Sequence, residues 1–323
     1  RSDRNMNIVV LDGYALNPGD LSWEMLSQQG SSFVVYDRTP PHLLIERSRE
    51  ADVLIINKVI IRSEELLQLP RLKYIGITAT GYDNVDILAA QEHHITVCNV
   101  PNYSTQAVAQ LVFAHLLAVT NHVEEYAGQN KNGRWTNSPD FCYWDAPLIE
   151  LHGKTIGIIG LGHIGMTVAN IAQSFGMKVL ACTSKAQEQL PPFICKEAFT
   201  SLLAQSDVLT LHCPLTPQTQ QLIAADELKQ MKPSAILINT ARGGLINEND
   251  IAQALVERRL YAYCSDVLTQ EPPGENHILL HTPHAYITQH IAWATVEARQ
   301  RLLQITAENL YKYLNNKPQN TVS

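Results

Sequence analysis

Short β-branched runs alternate with amphipathic stretches along this chain, and they do so twice over. In the first pass the strand-like runs fall at residues 8–11, 33–36, 53–56, 74–77 and 96–99, with amphipathic segments such as 21–29 and 85–93 between them. In the second pass they fall at 155–159, 178–182, 208–212, 235–239, 261–266 and 285–288, separated by helical patterns that include 164–175, 196–205 and 250–259. Parallel neighbours need a crossover, usually a helix, so this alternation predicts parallel sheets covered by helices on both faces. Two passes in 323 residues predict an α/β protein of two doubly wound parallel-sheet domains, with a cleft between them as the default place for a small ligand.

Two longer helical patterns suggest how the domains are joined. One spans 104–125, with Ser104 placed as an N-cap after Pro101-Asn102. The other, 291–314, is rich in Ala, Leu, Arg and Gln. The first would carry the chain into the second domain and the second would carry it back. The expected division is therefore residues 1–103 plus 295–323 around a continuous domain of residues 104–294.

Composition narrows the partners. Hydrophobic residues at 45% and charged residues at 17% allow a large buried core. A net charge of −7 without a basic run argues against nucleic acid or an anionic membrane surface. No apolar stretch approaches the roughly 18 residues of a spanning helix, and no charged-then-apolar leader opens the sequence. Residues 1–5 are polar and are set aside from fold reasoning. The six cysteines are scattered without a C-x-x-C pair, which reads as reduced thiols in a cytoplasmic protein, with no metal site.

The run Gly160-Leu161-Gly162-His163-Ile164-Gly165 follows the apolar segment 155–159 and opens a helical pattern. In that context G-x-G-x-x-G is the Rossmann dinucleotide fingerprint. Gly160 allows the tight turn, Gly162 leaves room for a pyrophosphate at the helix start, and Gly165 lets helix and strand pack closely. An NAD-selective site usually has Asp or Glu at the end of the next strand, about 20 residues on. Here the strand ends Cys182-Thr183-Ser184-Lys185. Small hydroxyls followed by a cation would tolerate a 2′-phosphate, so NADP(H) is expected to be accepted alongside NAD(H). The alternative is that Lys185 is an ordinary solvated lysine and the site is merely permissive.

Three later segments share a chemical theme. Arg242 follows one strand in Asn239-Thr240-Ala241-Arg242-Gly243-Gly244, Glu271 follows the next, and His290 precedes the closing helix in Thr288-Gln289-His290-Ile291-Ala292-Trp293. A guanidinium can grip a carboxylate and polarise a carbonyl with its fixed fork of donors. A histidine can give a proton to a nascent alkoxide, and a neighbouring carboxylate orients the ring and favours its protonated form. Taken singly, Arg242 could be a structural ion-pair residue and Glu271 a solvated one. A lone histidine such as His115, on an apolar helix face, is read as packed.

Together with Thr80-Gly81-Tyr82-Asp83-Asn84-Val85-Asp86, these segments resemble the D-2-hydroxyacid dehydrogenase family over nearly the whole chain. Leu11-Asp12-Gly13-Tyr14, Asn17-Pro18-Gly19-Asp20, Asn57-Lys58 and the Ile-Ala-Trp-Ala run are most similar to its glycerate dehydrogenase/hydroxypyruvate reductase members. The resemblance implies a flavodoxin-like substrate-binding domain in residues 1–103 plus 295–323 and a dinucleotide-binding domain in 104–294. It implies an enzyme passing hydride between NAD(P)H and a small 2-keto acid such as hydroxypyruvate. Arg242 would bind the substrate carboxylate and carbonyl, Glu271 would pair with the histidine, and His290 would be the acid/base. Lys58, Ala79, Thr80 and Gly81 would line the substrate loops. The cofactor would meet Gly160, Gly162, His163, Ile164, Gly165, Thr183, Ser184, Lys185, His212, Cys213, Pro214, Thr240, Ala241 and, on the nicotinamide side, Asp266. The segment 133–147, with Trp135 and Trp144, resembles a dimer arm, so a homodimer is expected.

The family's Thr-Pro-His pattern occurs at Thr282-Pro283-His284, but Ile-Ala-Trp-Ala follows Thr288-Gln289-His290 instead. His290 is therefore taken as catalytic and His284 as a loop residue. Gln289 replaces proline there and removes a constraint on φ. A formate-oxidising relative fits poorly with Glu271. A phosphoglycerate dehydrogenase stays open, in a form without the appended regulatory domain of longer members, because the chain ends soon after the closing helix. A dinucleotide-sensing corepressor on the same fold also stays open.

Overall fold

The computed structural model describes residues 5–323, so the first four of the polar opening residues lie outside the described residues. The chain folds as two compact units. One is formed by the chain up to Ser104 with Ala294–Ser323, the other by Thr105–Trp293.

The first unit begins with β1 (Asn7–Val10), α1 (Glu24–Ser27), β2 (Ser32–Val35), α2 (Leu44–Ser48) and β3 (Val53–Ile56). It continues with α3 (Ser63–Leu67), β4 (Tyr74–Ile77), α4 (Ile87–Glu92) and β5 (Thr96–Cys98). All five strands are parallel, in the order β2-β1-β3-β4-β5, which is the flavodoxin-like order. Every residue of β3 and β4 is buried, as expected of inner strands covered on both faces.

The second unit opens with α5 (Thr105–Asn121) and α6 (Val123–Lys131), then β6 (Thr155–Ile159), α7 (His163–Ser174), β7 (Lys178–Cys182) and β8 (Ile194–Lys196). After these come α8 (Phe199–Gln205), β9 (Val208–Leu211), α9 (Ala225–Gln230), β10 (Ile236–Asn239), α10 (Glu248–Val256), β11 (Ala262–Ser265) and β12 (Ala285–Ile287). This seven-stranded sheet runs β12-β11-β10-β9-β6-β7-β8, parallel throughout. The order reverses between β6 and β9, and such a switch point opens a crevice at the carboxyl ends of the strands. Two apolar clusters cover the faces of the sheet, one led by α5 and α7 residues such as Phe113 and Val168, the other by Leu202, Leu228 and Leu255.

The chain then returns to the first unit as α11 (Val296–Leu314). Arg299, almost fully buried, holds it there by a bidentate pair with Asp20 at 2.8 and 2.7 Å and a further bond to the Leu16 carbonyl. The Asp20 turn is itself shaped by Asn17, whose side-chain oxygen accepts from the Gly19 and Leu21 amides.

Three sequence expectations need correction. The pattern 104–125 is not one helix: His122 sits at φ 51° between α5 and α6. The Thr120 carbonyl there accepts from the Ile149 amide, so the helical ladder is interrupted. The pattern 196–205 includes the end of a strand, because Lys196 closes β8 and α8 starts only at Phe199. The closing helix starts at Val296 rather than 291, since Thr295 caps it by accepting from the Ala298 amide and the amides of Ile291 and Ala292 are bound elsewhere.

Candidate active site

The glycine turn lies at the switch point, between the ends of β6 and β9. Gly160 adopts φ +89°, and a Cβ there would come within 2.6 Å of the His212 carbonyl oxygen at the end of β9. Only glycine combines that conformation with that approach. A Cβ on Gly165 would come within 2.2 Å of the Gly160 carbonyl oxygen, so the start of α7 rests directly on the turn. Gly162, the N-cap of α7, faces open space instead. The amides of Leu161 and Gly162 donate to no acceptor among the described residues. Open space, unpaired amides and a helix start make an anion site of the kind a pyrophosphate fills. Across the crevice, Thr240 follows β10 with its hydroxyl buried and unpartnered. These features fit a nicotinamide dinucleotide.

No carboxylate stands among residues 183–185 at the end of β7. The Lys185 ammonium donates to the Leu161 carbonyl of the glycine turn at 2.8 Å, and the Lys185 amide donates to the Thr183 hydroxyl. Lys196, which sequence reading placed in a helix, ends the neighbouring strand and donates to the Lys185 carbonyl at 2.7 Å. Two ammonium groups therefore stand where the sequence suggested one. His212 bonds Thr210 at 2.7 Å, and burial pushes its pKa down to about 4, so its ring is neutral at pH 7. Cys213 follows it, with its thiol pKa raised by burial, and the Pro214 carbonyl accepts from Thr219.

Arg242, Glu271 and His290 come after β10, β11 and β12, three neighbouring strands. Asn239, wholly buried at the end of β10, folds the first of these loops: its Nδ2 donates to the Arg242 carbonyl and its Oδ1 accepts from the Ala241 amide. The Arg242 guanidinium donates to the Ala241 carbonyl and pairs with no carboxylate among the described residues. His290 Nδ1 meets Glu271 Oε1 at 2.8 Å, with the two side chains 35% and 36% exposed. A carboxylate only accepts, so Nδ1 carries the proton, and Nε2 bonds no partner among the described residues. His290 itself sits at φ 56°, a left-handed conformation that is costly for a residue with a Cβ.

Asp266, 1% exposed, holds that conformation from both sides. Its Oδ1 accepts from the Thr288 hydroxyl at 2.7 Å and the Ile291 amide at 2.9 Å, and its Oδ2 from the Ala292 amide. Because Thr288 gives its proton to Asp266, its oxygen accepts from His115 Nε2 at 3.0 Å. His115 is therefore more than packed: it extends the Asp266 network, and burial lowers its pKa against the opposing charge of Asp266. No sequence signal distinguished it from other histidines on apolar faces. His284 stands apart from all this, its ring stacked on Tyr261.

In the first unit, the loop after β3 is gathered by Asp12, whose carboxylate accepts from the amides of Asn57, Lys58 and Val59 at 2.7, 2.6 and 3.1 Å and leaves Lys58 exposed. Burial raises the Asp12 pKa against those bonds. After β4, Thr80 bonds the Val100 carbonyl and Asn99 bonds the Thr80 carbonyl. The amides of Ala79, Thr80 and Gly81 donate to no acceptor among the described residues, so they are available to an anion.

A dinucleotide-type turn on the same sheet as a carboxylate-paired imidazole and a guanidinium without an ion pair among the described residues fits a nicotinamide-dependent oxidoreductase. The family follows from comparison. The model of the D-isomer specific 2-hydroxyacid dehydrogenase NAD binding domain matches residues 113–292. The hydroxypyruvate reductase of Blautia hydrogenotrophica is 41% identical over 98% of this chain and 100% of its own. The glycerate dehydrogenase of Methylorubrum extorquens is 42% identical over 87% and 88%. Among solved structures, an acyclic imino acid reductase (Bsp5) in complex with NADPH and D-Arg superposes with a TM-score of 0.81 at 32% identity, covering 98% of this chain and 100% of that one. The chain belongs to the D-2-hydroxyacid dehydrogenase family. Among the described residues, no helix is long and apolar enough to cross a membrane.

Proposed function

We propose that this enzyme reduces small 2-keto acids, hydroxypyruvate to D-glycerate foremost, with NADPH as well as NADH. The 2.8 Å pair between His290 and Glu271, on loops neighbouring that of Arg242, whose guanidinium forms no ion pair among the described residues, carries this reading. When bound, the reduced dinucleotide supplies the hydride. Arg242 holds the keto-acid carboxylate and draws electron density from its carbonyl oxygen. As charge develops on that oxygen, His290 Nε2–H delivers the proton, and Glu271 keeps Nδ1–H in place and stabilises the imidazolium. On the first unit, the unpaired amides of Ala79, Thr80 and Gly81 after β4 suit a carboxylate, and exposed Lys58 follows the neighbouring strand β3. Relatives that are a hydroxypyruvate reductase and a glycerate dehydrogenase support the substrate. The six unpaired thiols suit a cytoplasmic setting.

Lys185 and Lys196, with Thr183 and Ser184, form the proposed 2′-phosphate subsite. Initial rates of NADH and NADPH oxidation with hydroxypyruvate, glyoxylate and pyruvate test both parts. Turnover should be fastest on hydroxypyruvate, and its absence with all three acids would sink the substrate assignment. Lys196→Ala should raise KM for NADPH about tenfold, about 1.4 kcal/mol, and leave KM for NADH within twofold. Equal effects on the two cofactors would remove Lys196 from the subsite.

We also propose a homodimer formed through the segment 123–148. Phe141 is 89% exposed and Trp144 62%, and Val123, Trp135 and Leu148 are exposed with them. The segment is nevertheless ordered internally, by Arg134 paired with Asp145 and lying over the Tyr143 ring. An apolar surface built on such a scaffold marks an association site. Sedimentation should give twice the chain mass, and a Phe141→Asp variant should give the chain mass; a wild-type monomer would dispose of the idea.

A further inference from the structure

A partly buried polar cluster lies behind the active-site loops and takes no part in the chemistry described above. Glu248, in the first turn of α10, accepts from the Thr269 hydroxyl through Oε1 and from the Thr269 amide at 3.3 Å through Oε2. His277 Nε2 meets the same Oε2 at 3.1 Å, and the side chains of His277 and Glu248 are only 12% and 14% exposed. His277 Nδ1 accepts from the Leu279 amide, so the ring proton is on Nε2 and is donated to Glu248. The Tyr263 hydroxyl lies within the field of the same carboxylate.

Thr269 is two residues from Glu271, within a turn that closes on itself where the Leu268 amide donates to Glu271 Oε2 at 3.1 Å. The same turn presses on the arginine loop. A Cβ on Gly243, next to Arg242, would lie 2.2 Å from the Leu268 carbonyl carbon and 2.4 Å from the Thr269 amide nitrogen. Movement of Thr269 would therefore displace Glu271 on one side and the Arg242 loop on the other. Of the charged groups described around the imidazole, Glu271 bonds it directly and Asp266 acts on its flanking backbone. Thr269 ties that pair to Glu248.

We propose that Glu248, locked by His277, is a positioning residue for the reduction: it pins Thr269 so that Glu271 meets His290 and the arginine loop keeps its place. This rests on Glu271 and His290 being the acid/base pair. In Glu248→Gln, the amide no longer matches three donors, and Glu271 should hold the imidazolium less well. The imidazolium limb of the pH profile of kcat/KM should then move to lower pH by about half a unit to one unit, with kcat at pH 7.5 down about tenfold. NADH affinity, read by fluorescence titration, should stay within twofold. Thr269→Val, which removes one bond and keeps the shape, should shift the limb in the same direction by less, and serves if Glu248→Gln does not fold. In a Glu271→Gln background, Glu248→Gln should move the limb no further.

A lower melting temperature with a pH profile superimposed on the parent's would overturn the proposal and leave Glu248 a purely structural residue. If Glu271→Gln alone leaves the profile unmoved, the acid/base assignment itself fails, and the role of Glu248 fails with it.

Discussion

Replacing His290 with alanine should lower kcat for keto-acid reduction by about a thousandfold or more while leaving NADH affinity unchanged, because general acid catalysis contributes roughly 10²–10⁴-fold. The Nε2 proton is lost, and Glu271, deprived of its partner at 2.8 Å, adds an unpaired negative charge beside the developing alkoxide. The matched control is His284→Ala. That ring stacks on Tyr261 and has no part in the Asp266 network, so its removal should cost stability and spare turnover. Stopped-flow measurement of NADH oxidation separates the chemical step from product release. Activity lost in the His284 variant and kept in the His290 variant would reverse the assignment.

The second large effect is expected at Arg242. Arg242→Lys keeps the charge but loses the planar fork, and kcat/KM for hydroxypyruvate should fall about a hundredfold. Arg242→Gln loses both, and a loss of about a thousandfold, about 4 kcal/mol, is expected, typical of removing a charged donor from a desolvated acyl-type oxygen. Because the guanidinium forms no ion pair among the described residues, its removal strands no buried carboxylate there. Thermal stability should therefore hardly change. Steady-state kinetics with a melting curve for each variant checks both halves, and a variant as active as the parent would take Arg242 out of the reaction.

Much of this was legible in the sequence because parallel sheets leave strong marks. Buried strands read as unbroken apolar runs, and the turn at Gly160 needs glycine for reasons of φ and contact that no other residue meets. The three-residue strand Ile194–Lys196 was missed because the apolar run Phe193-Ile194-Cys195 is too short to show a period and runs straight into a helical pattern, and with it went Lys196 as a second cation. The break at His122 was invisible because its cause, the Ile149 amide on the Thr120 carbonyl, comes from far along the chain. The late start of α11 has the same origin, in amides claimed by Asp266. The roles of His115, Glu248 and His277 depend on which side chains meet across loops, and nothing in their local sequence announces it.

Arg242, Glu271 and His290 issue from three strands that lie side by side, and neighbouring strands are about 4.8 Å apart. Backbone hydrogen bonding therefore acts as a ruler, setting the spacing of the three loop origins, and the side chains of Asn239 and Asp266 do the fine adjustment within the loops. With the roles proposed above for Arg242 and His290, the scaffold itself would measure the functional group shared by all 2-keto acids, and selection among those acids would fall to parts of the chain that the ruler does not touch.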